Sequence, residues 1–379
     1  MKIGITCYPT YGGSGAVATE LGIALADRGH EVHFITYRQP FRLPSFLPRI
    51  FFHEVDVGRY PLFEFPPYDL ALAVRMHEVV RTHGLQLLHC HYAIPHATSA
   101  WIAREMLRET GENVQLITTL HGTDITIVGQ DPSFYPITKF SIEKSDRITA
   151  VSQYLSEETC RAFGCEGLDV EVIHNFIDPD IYDREKYPPL LKKEFGISKP
   201  ILMHVSNFRS VKRVRDVIRI YAEVNRELPS VLVMIGDGPD RPAAEEEARV
   251  LGVEESVSFL GKLEQIAPLL AAADLFLLPS QSESFGLSAL EALASGVPVI
   301  GTNAGGLPEV VRDGETGVLC GVGDVPGMAA AALEILQNKK RWSEMSTLAA
   351  ADARERFSRD AIVTKYESLY RTSLPANKS

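Results

Sequence analysis

The sequence predicts two doubly wound α/β domains, each a parallel β-sheet with helices packed on both faces. Three observations predict it. Strand-like runs alternate with helical segments throughout the chain. The strand-like runs are short and nearly all apolar, as strands buried on both faces are. The alternation breaks once, at the polar segment 178–200 with Pro179, Pro188, Pro189 and Pro200, and then restarts. A chain of 379 residues suits two domains of fewer than about 200 residues each.

The elements follow in order. Residues 2–8 read as a buried strand, 15–28 as a helix and 32–37 as a second strand. Segment 41–67 is rich in Pro and Phe and reads as irregular. Helices are expected over 70–81 and 152–163, and strands over 85–90, 115–120, 148–151 and 170–173. Beyond the proline segment, strands are expected over 201–205, 231–235, 257–260, 275–278 and 297–300. In open α/β sheets ligands bind beyond the carboxyl ends of the strands. The chemistry is therefore expected in loops that follow strands, facing a cleft between the domains.

Composition narrows the function. Hydrophobic residues make up 45% and charged residues 23%, an ordinary globular balance. The net charge of −11 argues against a general binder of nucleic acid or anionic membranes. An anionic ligand then needs a local basic cluster or a helix N-terminus. The five cysteines are odd in number and form no C-x-x-C, which fits a reducing cytoplasm without a disulfide framework. No leader pattern precedes the first strand. The longest apolar stretch, 267–279, is short and carries Asp274, so no membrane span is expected.

Four loops carry chemical signals. Tyr11-Gly12-Gly13-Ser14-Gly15 follows the first strand, where glycines allow close approach and a helix N-terminus faces an anion. A tight turn with no ligand explains the same residues, and the spacing is neither a Walker A loop nor G-x-G-x-x-G. His121, opening His121-Gly122-Thr123-Asp124, ends another strand and points into the cleft or caps locally. His89-Cys90-His91 puts two imidazoles on one strand face, but no further ligand cluster stands nearby in sequence, so no metal is assigned there. After strand 201–205 come Arg209, Lys212 and Arg213, suited to a diphosphate. Arg213, Arg215 and Arg219 fit a solvated helix face, which leaves Arg209 and Lys212 for the ligand.

The strongest signal is Pro279-Ser280-Gln281-Ser282-Glu283-Ser284-Phe285-Gly286-Leu287, with Glu291 in the helix that follows. Open amides near Gly286 and Leu287 suit a phosphate. Glu283 and Glu291 bracket that anion site and can accept hydrogen bonds from sugar hydroxyls.

This Glu-x7-Glu frame resembles the signature of the retaining glycosyltransferase family 4, whose members have the two-domain GT-B fold. The likeness also includes Gly12-Gly13-Ser14-Gly15, His121, Asn175 with Asp178, Gly236-Asp237-Gly238-Pro239 and Gly305-Gly306-Leu307-Pro308-Glu309. It implies two Rossmann-like domains facing a central cleft. The first, 1–178, is the acceptor side, with a C-terminal helix 358–379 packing back on it. The second, 179–357, binds the sugar nucleotide. By resemblance, Glu283 contacts the donor sugar, Glu291 holds the ribose, and His121 orients the sugar. Gly13, Ser14, Gly236, Phe285, Gly286, Leu287 and Lys212 cradle the nucleotide and its diphosphate. Many members have Gly-Arg where this chain has Ser206-Asn207. Arg209 then stands in for the phosphate-binding arginine, and Asn207 turns to the acceptor.

A narrower likeness within the family rests on Cys7 to Gly15, His121 to Thr126 and Asp131 to Phe140. It implies UDP-N-acetylglucosamine as donor, the hydroxyl of L-malate as acceptor, retention at the anomeric carbon and a place at the first step of bacillithiol assembly. Malate is a dianion, and Tyr92, Lys139, Arg147 and Asn207 are the candidates to hold it. No metal or other cofactor is expected, because Lys212 and Arg209 can neutralise the leaving diphosphate. A homodimer is compatible with the sequence. Three rival readings stay open: another small acceptor, a UDP-sugar epimerase of similar build, and a non-catalytic binding module. A nicotinamide dehydrogenase fits poorly, since Tyr37 and Arg38 stand where an acid would bind the ribose.

Overall fold

The computed structural model describes residues 1–10, 13–44, 46–58, 64–164, 168–187 and 198–375. These fall into two compact units, Met1–His174 with Ile362–Ser379, and Asn175–Ala361.

The first unit holds strands β1 (Lys2–Thr6), β2 (Glu31–Thr36), β3 (Ile50–Glu54), β4 (Leu87–His91), β5 (Gln115–Leu120), β6 (Arg147–Ala150) and β7 (Val170–Val172). They form one sheet in the order β3-β2-β1-β4-β5-β6-β7, and every pairing is parallel. The β1 and β4 residues are almost wholly buried, which explains their unbroken apolar runs. On one face Ile35, Leu72, Met76, Leu88, Ala100 and Leu116 form a core between the sheet and the helices Tyr68–His83 and Thr98–Arg108. Helix Arg359–Ser373 contributes Tyr370, whose hydroxyl hydrogen-bonds His89 Nδ1 at 2.7 Å, and Glu367, which pairs with Arg28 and His30.

The second unit holds β8 (Ile201–Ser206), β9 (Val231–Gly236), β10 (Val257–Gly261), β11 (Leu275–Leu278), β12 (Val299–Thr302) and β13 (Gly317–Cys320). Its sheet runs β10-β9-β8-β11-β12-β13, again all parallel. Leu202, Val217, Tyr221, Met234, Leu277 and Ile300 centre its core, closed by helices Val214–Glu227 and Val325–Gln337.

Two elements depart from the sequence reading. Segment 41–67, expected to be irregular, contains β3, an edge strand whose Phe51 and Phe52 are exposed. The strand β13 went unread because its residues beyond Gly317 are only partly buried. The cysteines also differ at one point: Cys7, Cys90 and Cys320 are free, but Cys160 is disulfide-bonded. Among the described residues no helix is long and apolar enough to cross a membrane. Part of the proline segment, 188–197, lies outside the described residues.

Candidate functional site

In each sheet the strand order reverses once, between β1 and β4 and between β8 and β11. Loops leaving the carboxyl ends of such a pair diverge to opposite faces and open a crevice. Of the loops singled out from sequence, the glycine loop follows β1, those of Arg209–Lys212 and Glu283 follow β8 and β11, and that of His121 follows β5, next to β4.

In the second unit, the loop after β8 carries Asn207, Arg209 and Lys212, and the loop after β11 carries Ser280 to Gly286. Three bonds lock them and their neighbour together. Gln281 N donates to the Val211 carbonyl at 2.7 Å, Gly306 N to the Glu283 carbonyl at 2.7 Å, and Thr302 Oγ1 to the Ser280 carbonyl at 2.6 Å. Gly236 adopts φ 121°, and a Cβ there would overlap the Ser206 carbonyl. Its role is close packing of the β9 end against the β8 end, which only glycine allows.

Glu283 is buried, with 7% exposure. Its carboxylate accepts from Lys212 Nζ at 2.7 and 2.9 Å, and Oε1 also accepts from Ser280 Oγ at 2.7 Å. A carboxylate tolerates burial only with such partners. Gly286, at φ 102°, turns the chain into helix Leu287–Ala294. The first amides of a helix lack intrahelical acceptors and attract anions. Glu291 lies on that helix, also buried, and its Oε1 accepts from the Tyr182 hydroxyl at 2.6 Å. Phe285 is buried edge-on to Phe357, so it supports the turn from below, and Leu287 is partly exposed at the helix start.

Arg213 pairs with Asp216, Arg215 with Glu247, and Arg219 with both. Arg209 is exposed and, among the described residues, has no ion-pair or side-chain hydrogen-bond partner. Asn207 is exposed beside it.

In the first unit, Tyr11 and Gly12 lie outside the described residues, and helix Gly13–Asp27 begins at the exposed Gly13 and half-buried Ser14. Tyr92 follows β4 at φ 95°, a conformation costly for a residue with a side chain. Its amide donates to the Thr119 carbonyl at 3.0 Å, and its ring lies 5.3 Å from those of Tyr8 and His121. A 2.8 Å hydrogen bond joins His121 Nε2 to His91 Nδ1. Burial first, and then His96, pushes the His121 imidazole down to about 3, so it is neutral at pH 7. Buried Asp124 ties the loops together. It accepts from the amides of Gly122 at 2.9 Å, His121 at 3.2 Å and Ala93 at 3.2 Å. Burial outweighs these bonds and raises its carboxyl to about 6. Three further buried atoms at this end, Thr6 Oγ1, His91 Nε2 and His96 Nε2, have no hydrogen-bond partner among the described residues. Such orphans are rare and suit a polar ligand.

Two acceptor candidates differ in placement. Lys139 sits half-buried on helix Tyr135–Glu143, whose Ser141 hydrogen-bonds Thr98 at 2.6 Å, close in sequence to Tyr92; its Nζ lies 3.9 Å from Glu143. Arg147 is a correction. It opens β6 at the amino end of the sheet and pairs with Glu171 at 2.9 Å, so it does not join Tyr92 and His121 at the carboxyl ends. Ser280, Tyr182, Asp124 and His91 were not given site roles from sequence. His91 had been weighed only as half of a metal pair; instead His89 bonds Thr119 and Tyr370 while His91 bonds His121.

Residues 11–181 match the model of glycosyltransferase family 4, and residues 199–338 match that of glycosyl transferases group 1. The chain is 48% identical to N-acetyl-alpha-D-glucosaminyl L-malate synthase of Bacillus anthracis, over 100% of this chain and 99% of that protein. Among solved structures it resembles HepE of Anabaena in complex with UDP-glucose, with TM-score 0.80, 20% identity, and 98% and 100% coverage. Sucrose-phosphate synthase of Thermosynechococcus elongatus matches with TM-score 0.79 and 22% identity, covering 98% of each chain. These structural likenesses identify the fold as GT-B, two Rossmann-like domains.

Proposed function

The chain belongs to glycosyltransferase family 4, and on that premise we propose that it moves N-acetylglucosamine from UDP-N-acetylglucosamine to the hydroxyl of L-malate with retention. The observation that carries the donor side is the buried Glu283 carboxylate, clamped by Lys212 and Ser280 beside the start of helix Leu287–Ala294. That arrangement supplies fixed acceptors for sugar hydroxyls and fixed positive charge for a diphosphate. Full-length likeness to a GlcNAc-malate synthase supports the acceptor.

The difficult step is departure of the nucleotide. As the bond from C1 to the phosphate oxygen breaks, negative charge grows on the β-phosphate and positive charge on the sugar ring. Lys212 and the helix amides at Leu287, already in place, stabilise the first charge, and the unpaired Arg209 adds a second cation. Gly13 and Ser14, at the start of helix Gly13–Asp27 in the first unit, offer amides of the kind that donate to a phosphate. These two cations, Lys212 held by Glu283 and Arg209 exposed beside it, take the place of a divalent ion, so the reaction needs no metal. Glu283 orients the sugar and Glu291 the ribose. Neutral His121, held by His91, presents a hydrogen bond to the sugar without adding charge. The malate hydroxyl attacks C1 on the face the diphosphate leaves, and a phosphate oxygen takes its proton. No covalent glycosyl-enzyme forms, so the two-carboxylate geometry of retaining hydrolases is not required. Tyr92, Lys139 and Asn207 are the groups proposed for malate.

The test is UDP release from UDP-N-acetylglucosamine in chelator, with and without L-malate. Release that depends on malate supports the reading. Turnover without an acceptor identifies an epimerase or hydrolase instead.

A further inference from the structure

Outside these loops, His33, His53 and His83 bring three imidazoles together at the β3 edge of the first sheet. Their nearest ring nitrogens all lie within 4.8 Å of one another. We infer that they form a binding site for a divalent transition ion of the zinc class, separate from the transfer chemistry.

The fold builds the cluster from three elements. Ile35 of β2 is in register with His53 of β3, and Phe51 with His33, so His53 stands two residues along the same face from His33's partner. His83 ends helix Tyr68–His83, where the negative end of the helix dipole favours a cation. The His33 and His53 rings stack with centroids 5.1 Å apart, and the His83 ring lies 4.7 and 5.0 Å from them. His33 Nδ1 and His53 Nε2 share a hydrogen bond of 2.8 Å. Tetrahedral zinc, with bonds of about 2.0–2.1 Å, needs ligand nitrogens about 3.3 Å apart. Opening this pair by about half an ångström, with the His83 nitrogen drawn in from its place within 4.8 Å, meets that requirement.

The surroundings fit a ligand set better than a merely stacked core. His33 Nε2 bonds Glu31 Oε1 at 3.0 Å, which fixes its proton on Nε2 and leaves the Nδ1 lone pair facing His53. A carboxylate behind a ligating histidine is the usual outer support of such an ion. The ion replaces the shared proton, which moves to His53 Nδ1. His53 and His83 also line a pocket of about 210 Å³ with Arg75, Glu78, Val79 and Thr82, leaving the fourth position to water. The nearby cations are already compensated. Lys2 Nζ lies 3.2 Å from Glu31 and 3.0 Å from the His83 carbonyl, and Arg75 lies 3.1 Å from Glu78. Three imidazoles select zinc, nickel or copper over magnesium.

The experiment uses the untagged full chain after chelator treatment. Zn²⁺ binding is read by equilibrium dialysis, and Co²⁺ by the visible bands of a four-coordinate ion. One ion per chain is expected. His53→Gln and His83→Gln, both at half-buried positions, should each abolish it with circular dichroism unchanged. Glu31→Gln should weaken it by about 10- to 100-fold, and His121→Gln should leave it intact. Mg²⁺ should not compete. Absence of a stoichiometric ion in the intact chain, or an ion retained by both His53→Gln and His83→Gln, overturns the inference. Neither readout involves sugar transfer, so its failure is independent of the proposed reaction.

Discussion

Replacing Glu283 by Gln separates the fold from the chemistry at one atom. The glutamine keeps an oxygen at the Oε1 position, where Ser280 Oγ donates at 2.7 Å and Lys212 Nζ at 2.7 Å. It loses the charge and the second bond from Lys212 at 2.9 Å. A hydrogen bond to a charged group contributes about 1.5–3 kcal/mol. The Lys212 side chain keeps 20% exposure, so water recovers part of that loss, and about 1–2 kcal/mol of stability should go. Catalysis should suffer more. Lys212, left with one neutral acceptor in place of a two-point carboxylate clamp, is held less firmly, and the sugar loses its charged acceptor. Removing one fixed electrostatic partner in such sites costs about 10²–10³ in rate. The assay is kcat/KM for UDP release at saturating malate, with urea unfolding as the stability control. A double-mutant cycle with Lys212→Gln should give a coupling of about 1–3 kcal/mol. A folded Glu283→Gln protein with kcat/KM within about threefold of the parent would refute the assigned role, threefold being under 1 kcal/mol.

Other outcomes follow from the same geometry. Arg209→Ala, which removes an exposed and unpaired cation, should leave stability within about 0.5 kcal/mol and lower kcat/KM about 10- to 100-fold, the loss of one charged phosphate contact; an unchanged kcat/KM removes Arg209 from the site. Tyr182→Phe deletes the buried 2.6 Å bond to Glu291 and should cost about 1.5–3 kcal/mol in urea unfolding while raising the KM for donor; unaltered stability contradicts it. Asp124 carries a pH signature, because its folded carboxyl, at about 6, lies above the usual 3.8. Between those values the unfolded chain is ionised and the folded one protonated, so stability falls as pH rises through the window and stays level above it. Relative to Asp124→Asn, the parent should lose about 2 kcal/mol from pH 4 to pH 6; parallel profiles for the two proteins would rule this out.

Much of this was legible in the sequence because buried parallel strands have a plain signature. The apolar runs of β1, β4, β5, β8 and β11 fixed the two sheets, and the loops behind them held the chemical residues. β3 was hidden because an edge strand with Phe51 and Phe52 exposed lacks the fully buried pattern. The Glu283 frame was visible, but its partners were not. Lys212 lies 71 residues away and Tyr182 lies 109 residues from Glu291, and such bonds are set by tertiary packing. Arg147 misled because a cation near a strand looks available for an anion. Its place at the amino end of β6, paired with Glu171 on the neighbouring strand, assigns it to the sheet edge. His91 was set aside because its strand partner His89 had no further ligands nearby in sequence, and its bond to His121, 30 residues on, is set by the pairing of β4 with β5.

The most direct test of the central claim is NMR of the product formed from UDP-N-acetylglucosamine and L-malate in chelator. An α-linked N-acetylglucosaminyl malate, formed one for one with UDP, is the predicted result. A β-linked product, a requirement for added metal, or loss of the nucleotide sugar without malate would contradict it.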